Sequence, residues 1–165
     1  MRDAGYHHRS PITSTTALET ELLTELMSRK RDCLVQLRDL GPRQLALVRE
    51  GSMTALLDLL SAKQRLLLEL QELDRRLVPF RGQDPNARRW PTPEARQQTA
   101  QQLAECEALL VQIVRQEKQS EEELIQRRQQ TAIQLQSVHA AHRARGAYLA
   151  PHRGPAGRLD LASES

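Results

Sequence analysis

Residues 56–73 read LLDLLSAKQRLLLELQEL, with leucine at nine of the eighteen positions and Lys63 in the middle of the apolar stripe. Leu56, Leu59, Lys63, Leu66, Leu70, Leu73 and Leu77 follow one another at alternating steps of three and four. That is the a/d seam of a helix packed on other helices. Leu57, Leu60, Leu67 and Leu68 flank the seam and widen it. A stripe this wide is too broad for one partner helix and calls for two. Lysine at an a position can lay its methylenes along the leucines, with its ammonium reaching water at the bundle edge. A polar a residue also fixes register and discourages extra strands. Lys30 holds an equivalent place in the preceding segment.

The same period extends upstream through Leu23, Leu26, Lys30, Cys33, Leu37, Leu40, Gln44 and Leu47. Gly41-Pro42 falls inside this run. Proline lacks the amide donor and crowds the carbonyl four residues back, so a kink or short break is expected there. Gly51 suits a helix C-terminus, and Ser52 or Thr54 can cap the next start. Pro79 ends the second helix, and residues 79–92 are a loop rich in Pro and Arg. Thr92-Pro93-Glu94 then supplies a capping oxygen, a proline at the first helical position and an acid at the positive end of the dipole. No Pro or Gly interrupts the chain from Glu94 to Arg145. About 50 helical residues span roughly 75 Å at 1.5 Å per residue.

The expectation is an all-α fold, an antiparallel hairpin packed on a long third helix in a coiled-coil-like bundle. Its helices cover about 15–50, 54–78 and 93–143, with disordered ends at 1–14 and 144–165. Composition agrees. Of the 165 residues 27 are leucine, and only Tyr6, Phe80, Trp90 and Tyr148 are aromatic. Globular cores use bulky rings to fill volume, whereas a chain of Leu, Ala, Gln, Glu and Arg is a helical bundle. There is no apolar run of about 18 residues for a membrane span and no apolar core for an ordinary secretion signal near the start. Cys33 and Cys106 are too few for a disulfide framework and suit a reducing cytoplasm. The net charge of +3 is spread among acids rather than gathered into a nucleic-acid footprint.

Catalytic signatures are missing: no phosphate loop, no dinucleotide fingerprint, no H-E-x-x-H and no C-x-x-C. His139 and His142 lie three apart on a helix without a third ligand. Cys33 and Cys106 fall on apolar seam positions as small hydrophobes. Arg88-Arg89-Trp90 places a Trp where it can cover the open end of the bundle. Glu121-Glu122-Glu123 reads as a solvated face. No cofactor, metal or enzymatic activity is expected.

The third helix carries Leu103, Cys106, Leu110, Ile113 and Val114, then the polar run RQEKQSEEE at 115–123. Apolar positions resume at Leu124, Ile125, Ala132, Ile133, Leu135 and Val138. Its first half can pack on the hairpin. Its second half is expected to overhang with an uncovered apolar face, which marks a partner site. The tail adds the apolar islands Tyr148-Leu149 and Leu159-Asp160-Leu161.

The segment EGSMTALLDLLSAKQRLLLELQELDRRL at 50–77, with Lys63-Gln64 and Leu67 in a KQ-x-L-L-x-x-L context, resembles the FlgN family of flagellar type III export chaperones. So do the long Gln-rich helix at 97–135 and a tyrosine, Tyr148, soon after it. The Arg/Pro loop at 79–93 and the LDLASES end depart from the family pattern. The resemblance implies a cytoplasmic chaperone for flagellar hook-associated proteins. It implies helix-in-groove capture of their terminal helices, placed on Leu124, Ile125, Ala132, Ile133, Leu135 and Val138, and contact with an export-gate protein at Tyr148 and Leu149. Five or six such side chains at about 1.5 kcal/mol each give about 8 kcal/mol gross, and ordering costs reduce this toward micromolar binding. The alternatives are a homodimeric coiled-coil scaffold, a filament-cap chaperone of the FliT type, and a helical protein associated with DNA through its Arg-rich loop and tail.

Overall fold

The computed structural model describes residues 12–150, apart from the side chains of residues 12–16 and Pro85. Three helices make up most of it: α1, Ile12–Glu50; α2, Met53–Leu77; and α3, Pro93–Leu149. Two 3-10 turns, Val78–Phe80 and Pro85–Ala87, punctuate the loop between α2 and α3. Compact units divide at Leu124 and Ile125.

In the first unit the side-chain pairs set the directions of the helices. Arg29 meets Glu69, Cys33 meets Leu66 and Gln44 meets Lys63, so α1 and α2 run antiparallel. Thr24 meets Thr99, Gln44 meets Glu117 and Arg49 meets Glu123, so α1 and α3 run parallel with a near-constant offset. Arg31 to Glu105 keeps the same register. The bundle is therefore all-α, with α1 packed against both other helices.

Its core gathers Leu23, Leu26, Met27, Cys33, Leu34 and Leu37 of α1 with Leu73 and Leu77 of α2 and Cys106 and Leu109 of α3. Met27, Leu34 and Val48 of α1 are buried although they stand off the strict a/d seam. The reason is that α1 has two neighbours, which widens its covered stripe. The opposite holds for α2, where Leu57, Leu60, Leu67 and Leu68 are all at least 40% exposed. The expected second neighbour covers only the seam side of α2. The flanking leucines stay in water.

The helix ends follow local chemistry. Gly51 adopts φ 75°, and its N–H and that of Ser52 both reach the Leu47 carbonyl, closing α1 with the left-handed glycine turn. Ser52 occupies the position before α2 but makes no side-chain cap. Thr92 does cap: its Oγ1 accepts from the Ala95 N–H at 3.1 Å. Trp90 and Phe80 pack half-buried against the core at this end of the bundle.

Three expectations are corrected. Helix α1 does not break at Gly41-Pro42; it runs through both. Buried positions on either side, Leu37, Gln44 and Val48, lock both arms onto the same neighbours. At the two ends, residues 12–14 are the first turn of α1 rather than part of a disordered N-terminus, and residues 144–149 are the last turns of α3 rather than part of a disordered tail. One glycine, Gly146, costs a helix only about 1 kcal/mol, and the first proline comes at 151. Residues 1–11 and 151–165, with the Leu159-Asp160-Leu161 island, lie outside the described residues.

Lys63 is the third correction. It is 5% exposed, so its ammonium does not snorkel to water. It donates to Gln44 Oε1 at 2.6 Å and to Glu117 Oε1, while Gln44 Nε2 donates to Glu117 Oε2 at 3.2 Å. One residue from each helix closes this polar triangle. Lys30, half-buried, pairs with Asp74 at 2.6 Å.

Candidate functional site

The polar run 115–123 still belongs to the packed bundle. Gln116 lies on Gly41, where an added Cβ would stand 2.4 Å from its side-chain amide. Glu117 joins the Lys63 triangle, Ser120 is buried and Glu123 reaches Arg49 at 3.4 Å. Of the three consecutive acids only Glu121 and Glu122 are fully exposed; Glu123 is half-buried. A polar seam can pack when its partners are polar too, so the covered part of α3 ends later than its hydrophobicity suggests.

The second unit begins at Ile125, and of its described residues, 125–150, all but Arg127 are exposed. The residues assigned from sequence to client contact are all exposed: Leu124, Ile125, Ala132, Ile133, Leu135 and Val138. At 100° per residue they do not share one face. Leu124, Leu135 and Val138 make one stripe along α3, and Ile125 and Ala132 lie about a quarter turn round it. Ile133 falls half a turn from Leu124. The first five span an arc that one partner helix can cover, and Ile133 stands outside it. All six side chains are exposed, so these residues present faces of one helix rather than the expected groove. Tyr148 and Leu149, assigned to the export gate, sit in the last turn of α3 at 95% and 82% exposure.

A second apolar strip lies within the first unit. Leu60 and Leu67 stand three before and four after Lys63, and Leu110 and Val114 stand seven and three before Glu117. By helical period these four flank the edges of α2 and α3 that meet at the Lys63–Glu117 contact, and each is exposed. The sequence signal for it was the surplus of leucines beside the α2 seam.

The thiols have no reactive setting. Cys33 and Cys106 are free and buried. Burial pushes both pKa values up, and Cys33 also donates to the Leu66 carbonyl at 3.2 Å. Each thiol therefore ionises at higher pH in the folded protein than in the unfolded chain, whose thiols ionise near about 8.5. Stability is therefore flat below that pH and falls as pH rises above it. Iodoacetamide at pH 8 is expected to label the native protein at least tenfold more slowly than the urea-unfolded chain. Equal rates would mean that the thiol sites open readily. Among the described residues no three His, Cys, Asp or Glu side chains gather as a metal site, and no helix is long and apolar enough to cross a membrane.

Comparison with family models, curated proteins and solved structures finds no match.

Proposed function

We propose that the chain is a cytoplasmic binding protein that holds an amphipathic helix of a client along α3, in the manner of a FlgN-type flagellar export chaperone. The observation that carries this reading is the exposed stripe of Leu124, Leu135 and Val138 flanked by Ile125 and Ala132. Five exposed apolar residues on one arc of a helix match the apolar face of a second helix. The clients are flagellar hook-associated proteins, whose terminal helices are kept from aggregating before export. Tyr148 and Leu149, at the end of the same helix, contact the export-gate protein. Gross burial of about 8 kcal/mol, reduced by ordering, gives micromolar affinity and permits release at the gate.

The test uses purified full-length chain and a hook-associated subunit in calorimetry. The double variant Leu135→Asp/Val138→Asp is expected to weaken binding at least tenfold while leaving the melting temperature unchanged, because both side chains are exposed. Leu67→Asp, on the α2–α3 strip, is expected to leave binding intact. If Leu67→Asp abolishes binding instead, the client site on α3 is wrong. If no subunit binds and the native chain is a dimer that the double variant turns into a monomer, the stripe is a homodimer seam and the chaperone reading fails.

A further inference from the structure

At the loop end of the bundle a cavity of about 420 Å³ opens among α1, the end of α2, the connecting loop and the start of α3. Its volume is within the usual range of small-molecule sites. Met27, Leu77, Phe80, Trp90 and Leu103 give it an apolar wall, and Lys30, Arg81, Arg88 and Arg96 bring four cations to it. Two of these are engaged: Asp74 is held by Lys30 at 2.6 Å and by Arg81 at 3.7 Å. The other two have neutral acceptors. Arg88 donates to the Phe80 carbonyl at 3.1 Å and to Gln83 Oε1 at 2.6 Å, with its guanidinium over the Phe80 ring. Arg96 donates to Asn86 Oδ1 at 2.7 Å. A guanidinium has five N–H donors, so both keep capacity for an anion.

We propose that this cavity binds a single-chain amphipathic carboxylate, with its alkyl chain on the Met27, Leu77, Phe80, Trp90 and Leu103 wall and its head on Arg88 and Arg96. The apolar wall excludes a simple hydrophilic anion, which would gain nothing from it. The cations disfavour a neutral apolar ligand less than they favour one with an anionic head, because charge-assisted bonds are about twice as strong as neutral ones. A peptide fits poorly. Each of its residues brings backbone polar groups that an apolar wall leaves without partners. An alkyl chain brings none.

Trp90 is the chain's single tryptophan, so it reports on the cavity without labelling. Full-length protein is titrated with octanoate, decanoate and decanol while Trp90 emission is followed. Decanoate is expected to bind saturably at one site, about fifteenfold tighter than octanoate, since each buried methylene contributes about fourfold. Decanol is expected to bind at least tenfold more weakly than decanoate. Arg96→Gln, and separately Arg88→Gln, should each weaken decanoate about threefold to tenfold and leave decanol unchanged. Arg96 is exposed on a helix, so its variant keeps the fold even if Arg88→Gln loosens the loop. Phosphatidylglycerol vesicles should leave the emission unmoved. Decanol binding as tightly as decanoate, a titration that never saturates, or a response to vesicles without one to decanoate would each overturn the proposal.

Discussion

Replacing Glu117 by leucine is expected to destabilise the bundle by about 2 kcal/mol, and replacing Lys63 by methionine by less than about 1 kcal/mol in either direction. The two substitutions break the same ion pair, and the asymmetry comes from what each leaves behind. Without Glu117 the Lys63 ammonium, its side chain 7% exposed, keeps only the Gln44 carbonyl oxygen. Removing one partner of a fully buried pair costs about 3–5 kcal/mol. The Glu117 side chain is 44% exposed, so water partly replaces it and the figure is discounted. Without Lys63 the Glu117 carboxylate turns to solvent and keeps the Gln44 amide. A methionine adapts to the space among the α2 seam leucines. The double variant should recover most of the Glu117→Leu loss, a coupling of about 1–2 kcal/mol. Urea unfolding of the four proteins measures this directly. If Lys63→Met costs as much as Glu117→Leu, the lysine is a net stabiliser and its role is not confined to setting register.

Much of this was readable in the sequence where one residue type in one place had one physical outcome. The Thr92-Pro93-Glu94 start is a local device, and its cap forms. The Leu56, Leu59, Leu73 and Leu77 seam depends only on helical period, and those four are buried. Where the outcome depended on a distant neighbour, periodicity alone misled. Leu57, Leu60, Leu67 and Leu68 carry the same hydrophobicity as the seam, but the placement of α3 decides whether they are covered. The run from Gln116 to Glu123 looked too polar to pack, yet Gln44, Lys63 and Arg49 meet it with polar groups of their own. The candidate client residues were identifiable as apolar and are exposed; that Ile133 stands outside the arc of the other five follows from counting turns. The cavity had no sequence signal beyond Arg88 and Trp90, because its wall is drawn from four separate segments.

Pro42→Ala is expected to stabilise the protein by about 2 kcal/mol. Proline inside a helix forfeits one backbone hydrogen bond and presses on the carbonyl four residues earlier, at a cost of about 3 kcal/mol. Here α1 continues past it without interruption, so the packing on either side carries that cost rather than relieving it by a break. Pro42 is itself exposed, so alanine removes no core contact. It restores the amide that can bond the Arg38 carbonyl. Against this, the unfolded chain regains freedom that proline had restricted, about 0.4–1 kcal/mol. The net gain should raise the melting temperature by about 4–8 °C. Gly41 is a separate matter, since Gln116 occupies the space its Cβ would need, so Pro42→Ala is made with Gly41 unchanged. A melting temperature that falls would show that the proline ring fits α1 better as it stands than an unbroken hydrogen-bond ladder does. The continuity of α1 would then rest on that local fit and not on its two packed neighbours.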